Sequence, residues 1–388
     1  MTTVPATPKP TAAKPPRWRR IVPWVLVVLA CVLLIVGALT VWAKRQLLDT
    51  NNWETTSSQL LENQQIRDAI AVYLVDQLYS RVDVPAVLEK DLPPRAKPLA
   101  APLAAALQNF SLRATEALLA RPAVQRLWRE ANRAAHSQFL KVIEGGDHLQ
   151  TSNGEVVLDL SPILAKLGQS SVGARVVAKL PPEAGRIVIM KSDQLKAAQT
   201  GVRVVKALSI VLTLIVFALF ALAVWLAPNR RHLVLGVGVG AILSGLLILA
   251  ARRYLGTYVV DALAKNAPDI KPPAHAAWSI GTHLLRNIGV NVVIYGIAIL
   301  LAGLLAGPSR IAHTLRRWIA PTLVHHPLVV YGLVVLAFLL VVLLGPTDAQ
   351  RLVPLVILFG FGFLGVHVLR RQVTQEFPEV LQARPAGF

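Results

Sequence analysis

Five polar residues within eight positions form the densest chemical cluster of the sequence: Arg129, Glu130, Asn132, Arg133 and His136. On a helix Asn132 and His136 are i,i+4 neighbours, as are Arg129 and Arg133, and Glu130 pairs with Arg133 at i,i+3. Such a face can bind an anionic headgroup, with His136 as proton carrier. The alternative is a salt-bridged helix face around one buried histidine. The sequence favours the alternative, because no second histidine or paired carboxylate is spaced to complete a catalytic set.

Other candidates for chemistry have simpler explanations. Asp147 and His148 resemble half of a metal site, but turn and capping roles account for residues of these types. Gly236-Val237-Gly238-Val239-Gly240 resembles a nucleotide-binding loop, yet it lies inside an apolar run rather than after a strand. Cys31 is the single cysteine, which excludes an internal disulfide and a cysteine-based metal site. The sequence therefore predicts no metal and no cofactor.

Glycines in the apolar segments recur at spacings that suit helix packing. Gly236 and Gly240 are four residues apart, and Gly289, Gly296 and Gly303 recur every seven residues. Small residues at such positions let helix backbones approach each other closely. We predict that these glycines pack helices within the chain, with an oligomer interface as the alternative.

Composition and charge point to a membrane protein. Of 388 residues, 54% are hydrophobic and only 16% are charged, which suits segments solvated by lipid. The net charge of +19 divides into +5 over residues 1–43, +5 over 44–206 and +9 over 207–388. In the membrane parts the cations lie beside apolar runs rather than in one basic face with aromatics. This distribution is typical of membrane topology and anionic lipid contact, and it argues against nucleic-acid binding.

Six segments are apolar and long enough to predict a six-helix transmembrane bundle in a mainly α protein. They are 21–43, 207–228, 233–251, 288–306, 328–345 and 352–369. Residues 1–20 are predicted to be a disordered cytoplasmic tail, and 370–388 a second cytoplasmic tail. Arginines before the first segment and in alternate loops predict that both termini are cytoplasmic. A basic amphipathic helix over 309–320 predicts contact with anionic lipids of the inner leaflet.

An extracytoplasmic domain is predicted between the first two segments, over residues 44–206. Helical stripes at 65–78 and 114–143 make it mostly helical, and Asn153-Gly154 predicts a small β-hairpin. A helical pattern from Ser192 enters the second segment without a stop, with Gly201 as its weakest point. Residues 252–287 are predicted to form an extracytoplasmic cap that touches this domain. Arg252 and Arg253 lie at an outer membrane boundary, and Asp261 is their candidate partner.

Two stretches of this domain are similar in sequence. Residues 60–67 (LLENQQIR) parallel residues 118–125 (LLARPAVQ), and both are expected to open a long helix. Duplication of a helical hairpin and chance reuse of a helix-start pattern both explain the similarity.

A resemblance to a protein group rests on three motifs. They are Asp49-Thr50-Asn51-Asn52-Trp53, the stretch 118–133 with His136, and Gly154-Glu155-Val156-Val157-Leu158-Asp159-Leu160. Over roughly residues 20–230 the chain resembles uncharacterised multispanning membrane proteins of high-GC Gram-positive bacteria. The resemblance implies a multi-pass protein of the bacterial cell membrane with an exported domain, and no particular chemistry.

The predicted spans contain no Asp, Glu, Lys or Arg at mid-membrane, which disfavours a coupled transporter. The leading hypothesis is a non-enzymatic cell-envelope scaffold, sensor or assembly component that binds a protein partner through its exported domain. The alternative is lipid or hydrophobic-solute handling at the outer leaflet, and a membrane-embedded enzyme is the second alternative. An exposed apolar patch on the domain would favour the scaffold, and an apolar groove would favour lipid handling.

Overall fold

The structure is a computed structural model of the chain. It describes residues 17–144, 151–152, 155–159, 186–305 and 307, and also 313–314, 317–318, 322, 328–333, 335–336, 366–367, 370–371, 373–374 and 376. The described part is mainly helical. The α-helices in chain order are α1 Arg17–Leu48, α2 Thr50–Glu62, α3 Gln64–Tyr79, α4 Val84–Asp91, α5 Ala100–Leu119, α6 Pro122–Glu144, α7 Ser192–Leu226, α8 Arg230–Ala264, α9 Lys271–Gly281 and α10 His283–Leu305. Short 3-10 helices, Lys97–Leu99 and Pro268–Ile270, precede α5 and α9.

Three strands form an antiparallel sheet in the order β1-β2-β3: β1 Thr151–Ser152, β2 Glu155–Asp159 and β3 Arg186–Lys191. Ser152 pairs with Glu155, and Asp159 pairs with Arg186. Residues 153–154, the predicted turn, lie outside the described residues, as do Asp147 and His148. The hairpin turn therefore stays a prediction.

The chain divides into two compact units. The first contains Met1–Ala38, Val211–Leu249 and Asn287–Phe388, and the second contains Leu39–Ile210 and Ala250–Arg286. The second unit thus includes the predicted 44–206 domain and all but the last residue of the predicted 252–287 cap.

Four helices in the described part of the chain are long and apolar enough to cross a membrane. They are Trp18–Leu48, Lys196–Leu226, Arg230–Ala264 and His283–Leu305. They overlap the predicted spans 21–43, 207–228, 233–251 and 288–306, and α1 begins at Arg17, inside the predicted 1–20 tail. The predicted spans 328–345 and 352–369 and the 370–388 tail fall largely outside the described residues. A six-span bundle accordingly remains a proposal.

Helix α7 runs unbroken from Ser192 to Leu226, which confirms the predicted continuous helix. Within the second unit its beginning is fastened to the end of α6. Lys206 Nζ lies 2.6 Å from Glu144 Oε1, and Gln199 Nε2 donates to the Val142 carbonyl at 3.4 Å. Gly201 has no neighbouring atom within 4 Å of an added Cβ, so nothing in the packing requires glycine there.

The predicted packing glycines of the first unit lie where helices meet. Gly236 and Gly240 face Trp24 and Cys31 of α1, and Gly289, Gly296 and Gly303 face α8. A Cβ added at Gly296 would lie 2.8 Å from the Ile242 nitrogen and 3.0 Å from a second backbone atom, the Gly238 oxygen. Backbone cannot move aside as a side chain can, so this close approach of α8 and α10 depends on glycine.

The second unit contains two pairs of consecutive helices, α2–α3 and α5–α6, and each helix packs mainly on a helix of the other pair. Helix α2 packs on α6 and α3 packs on α5, while α2 also contacts α3 and α5 contacts α6. The two similar segments, residues 60–67 and 118–125, lie 58 residues apart, and each spans a junction between two helices. Helix α2 ends before Asn63, which caps α3, and α5 ends before Pro122, which opens α6. The prediction of one helix over 114–143 was wrong, because Pro122 suits a first helical turn and not a helix interior.

Corresponding positions of the two pairs make corresponding contacts. Thr50 and Trp53 of α2 contact α6, and 58 residues later Gln108 and Ser111 of α5 contact α3. Two copies of a helical hairpin produce this arrangement when the first helix of each copy packs on the second helix of the other. The contacts favour duplication over chance reuse as the origin of the similarity.

The cap packs on the same unit, as predicted, since α9 contacts α2 and α3. The predicted pairing of Asp261 with Arg252 or Arg253 is wrong. Asp261 Oδ1 lies 2.7 Å from Lys271 Nζ, whereas Arg252 donates from Nε to the Thr282 hydroxyl and carbonyl at 2.8 and 3.1 Å. An arginine at a helix–helix contact can thus be satisfied by neutral acceptors, which a search for opposite charges overlooks.

The close approach at Gly296 predicts unequal effects of two glycine substitutions. Gly296→Ala places a methyl group against the α8 backbone and should lower the free energy of unfolding by about 1–3 kcal/mol. Gly201→Ala, in open space on a helix, should raise it by roughly 0.5–1 kcal/mol. Thermal unfolding of the two full-length variants in detergent measures both. Equal melting temperatures for the two variants would contradict the packing role of Gly296.

Candidate functional site

The junction between α1 and α2 forms the surroundings of His136, one residue of the predicted polar cluster. Asp49 ends α1 and caps α2, accepting from the backbone nitrogens of Asn51 and Asn52 at 3.0 and 3.3 Å. Asn52 Nδ2 donates to the Arg45 carbonyl at 3.1 Å. Carbonyls in the last turn of a helix have no partner inside that helix, so the side chain supplies one. The Asp-Thr-Asn-Asn-Trp motif therefore forms a defined joint between two helices.

His136 of α6 packs against this joint, and only 5% of its surface is exposed. Its ring stacks on Trp53, with centroids 4.8 Å apart and planes 15° from parallel. Nε2 lies 3.1 Å from the Leu47 carbonyl, and Nδ1 lies 3.2 Å from Thr50 Oγ1. We call these four residues, Leu47, Thr50, Trp53 and His136, the histidine hub.

The hub contacts define which nitrogen of a neutral His136 ring carries the hydrogen. A carbonyl only accepts, so Nε2 carries the hydrogen that is donated to Leu47, and Nδ1 accepts from the Thr50 hydroxyl in a neutral ring. Burial lowers the pKa of His136, because desolvation disfavours the charged ring. The Leu47 hydrogen bond and the negative charge of Asp49 raise the pKa and partly offset that effect. A neutral ring with both nitrogens engaged is suited to holding helices together.

The arginines of the cluster pair with carboxylates of α2. Arg133 lies 2.6 Å from Glu54, and Arg129 lies 3.5 Å from Glu62. The expected partner of Arg133 was Glu130, one turn earlier on α6, but the contact is made across helices instead. Exposed pairs of this kind contribute about 0–1 kcal/mol each, so they orient α6 more than they stabilise it.

Two further hydrogen bonds complete the α2–α6 contact. Trp128 Nε1 donates to the Ser57 carbonyl at 2.8 Å, and Arg129 Nε donates to Ser58 Oγ at 3.3 Å. Asn132 stays within its own helix, donating to the Trp128 carbonyl at 2.9 Å. Three of the five cluster residues, Arg129, Arg133 and His136, are accounted for by contacts between helices. Among the described residues no group of three or more His, Cys, Asp or Glu side chains could hold a metal ion.

Helix α5 presents an apolar surface that sequence reasoning missed. Leu103, Leu107 and Phe110 are 45%, 44% and 68% exposed, whereas Ala100 and Ala104 of the same helix are buried. At 100° per residue the three large side chains lie within about 60° of the helix circumference. Ala100 and Ala104 lie next to this stripe on the helix circumference, so two buried alanines border three exposed larger side chains. The spacing of these apolar residues is visible in the sequence, but the side of α5 that faces the interior is not.

A second feature of the unit is an apolar cavity of about 340 Å³ between the end of α1 and the cap. Its walls are Trp42, Val259, Val260, Leu263, Ala274, Ala277, Trp278, Gly281 and Thr282. The Trp42 Nε1 atom is buried and has no hydrogen-bond partner among the described residues. Tryptophans at both ends of membrane segments are common, so the sequence offered no signal that these two share a cavity.

Known proteins add no functional assignment to these features. No family model, no curated protein and no solved structure matches the chain. The candidate sites are therefore interpreted from their own geometry.

The neutral state of His136 predicts a stability that depends on pH. Above its ordinary pKa of 6.5 the ring is neutral in folded and unfolded chains, and its contribution to stability is fully present. As the pH falls, the unfolded chain takes up a proton that the folded chain resists, so the free energy of unfolding decreases. The melting temperature of the full-length protein should drop between about pH 7.5 and 5.5.

The control is His136→Gln, which does not titrate. Loss of a buried hydrogen bond should cost it about 1–3 kcal/mol at neutral pH, but its melting temperature should drop less on acidification. An equal drop in wild type and variant would contradict a neutral, buried His136.

Proposed function

We propose that this chain is a multi-pass protein of the bacterial cell membrane whose second unit binds a protein partner. In this role it acts as a scaffold, sensor or assembly component of the cell envelope. Four long apolar helices support membrane insertion, and the polar second unit supports a binding role outside the bilayer. The proposal assigns no reaction and no cofactor.

The apolar surface of α5 is the observation that carries the proposal. Monomeric soluble domains rarely expose large apolar side chains side by side, and such surfaces mark interaction sites. Phe110 lies at the end of the stripe and is 68% exposed, as suits an aromatic anchor for a partner pocket. The histidine hub supports the same role indirectly, because rigid helices present such a surface at lower entropic cost.

The proposed orientation places the second unit outside the cytoplasm and both termini inside. Arg19 and Arg20 precede the first apolar run, and Arg230 and Arg231 follow the short turn after α7. Cations are retained on the cytoplasmic side, where anionic inner-leaflet lipids attract them. Residues 44–206 and 252–286 belong to one compact unit, which supports an arrangement in which both lie on the same side.

Lipid or hydrophobic-solute handling is the alternative function. The apolar cavity at Trp42 and the cap is the observation that favours it. The two functions make different demands: partner binding needs the α5 surface, and lipid handling needs the cavity.

Affinity purification of the full-length protein from native membranes in mild detergent tests the proposed function. Wild type should retain a stoichiometric protein partner identified by mass spectrometry. Leu107→Glu combined with Phe110→Glu should weaken that association at least tenfold, because charged groups cannot enter an apolar interface. Both residues are exposed, so the fold should tolerate the change.

Ala105→Glu combined with Asn109→Glu is the matched control, since it adds the same charge at two exposed positions of α5 outside the apolar stripe. It should keep the partner. A wild-type protein that purifies alone, or a partner retained equally by the variant altered at Leu107 and Phe110, would rule out the α5 surface as the binding site.

A further inference from the structure

The cavity lies at the membrane-exit end of α1. With a rise of 1.5 Å per residue, the 24 residues from Trp18 to Trp42 span about 36 Å along the helix. The hydrocarbon core of a bilayer is about 30 Å thick, so two such tryptophans fit its two interfaces. Lys44 and Arg45 follow immediately and mark the polar side. A cavity at this level faces the glycerol and ester region of lipids.

The polar groups around the cavity are paired, with one exception. The Thr282 hydroxyl donates to the Trp278 carbonyl at 2.6 Å and accepts from Arg252 Nε at 2.8 Å. Trp278 Nε1 donates to the Arg252 carbonyl at 3.3 Å. Trp42 Nε1 is the buried donor that lacks an acceptor in the described part of this site. That nitrogen is covered by protein atoms, so the surface that the cavity offers a ligand is apolar.

Size and wall chemistry restrict the ligand further. About 340 Å³ corresponds to roughly eleven water volumes, at the small end of ligand sites. Valine, leucine, alanine and two indole rings line the space, which suits hydrocarbon and not a sugar or a nucleotide. The space accommodates part of one hydrocarbon chain.

The charge beside the cavity is positive. Arg252 is hydrogen bonded to the wall residue Thr282, and Arg286 lies close enough to Arg252 for their charges to repel. The nearby carboxylate of Asp261 is occupied by Lys271. Two adjacent arginines of this kind favour an anionic group in their vicinity.

We infer that the cavity binds an acyl chain of an anionic glycerophospholipid. The headgroup lies towards Arg252 and Arg286. This site is independent of the α5 surface, and a scaffold that binds protein through α5 would use the lipid to seat the cap at the membrane. Its failure would therefore leave the proposed partner binding untouched.

Photolabelling of the full-length protein in lipid nanodiscs tests the inference. The probe is a phosphatidylglycerol that carries a diazirine on one acyl chain, and labelled peptides are mapped by mass spectrometry. Labels should concentrate on the cavity walls around Leu263 and Ala277. Ala277→Phe fills the space and should reduce this labelling at least fivefold, while Ala262→Phe, at an exposed position of α8, should leave it unchanged.

A comparison of headgroups tests the role of charge. A phosphatidylcholine probe should label the walls less than phosphatidylglycerol does. Labelling that is unchanged by Ala277→Phe overturns the site. Equal labelling by the two headgroups overturns its assignment to an anionic lipid.

Discussion

Lipid tails offer a peptide group no hydrogen-bond partner, and this constraint underlies the architecture of the first unit. Apolar segments that cross a bilayer must form helices, because only a helix satisfies its own backbone. Those helices gain little from burying leucine against each other, since lipid is equally apolar, so they associate where backbones come close. Gly296 against the Ile242 nitrogen is such a place. In the first unit small residues such as Gly296 consequently lie between helices together with larger ones such as Leu233, while Leu214 and Leu243 remain on the outside.

In the second unit, polar contacts between side chains and backbone help to join the helices. Its buried apolar residues in the described part include Leu61, Ile66 and Val75. Helices α2 and α6 are joined in addition by the histidine hub. This hub satisfies a carbonyl at the end of α1 and links the joint at Asp49 to a helix nearly 90 residues later. These directional contacts join the helices without using the large apolar residues of α5, which remain exposed.

Local features of this chain could be predicted from the sequence, but contacts between residues distant in the sequence could not. Helix α7 was foreseen because nothing between Ser192 and Leu226 stops a helix, and the cap was placed correctly beside the domain. The break before Pro122 was missed although proline opens helices readily, because the apolar pattern continues across it. Glu54 as partner of Arg133 could not be read from spacing, since helix spacing shows only neighbours within one helix. The cavity at Trp42 depends on three distant segments and has no local signal.

The central proposal is that the second unit lies outside the cytoplasm. Cysteine labelling in intact cells with a membrane-impermeant maleimide tests it most directly, because Cys31 is the single cysteine and Cys31→Ser removes the background. In that background Glu89→Cys, exposed on α4, should react in intact cells. Asn229→Cys, exposed in the turn between α7 and α8, should react only after permeabilisation. The opposite pattern, or equal labelling of both in intact cells, would contradict the account.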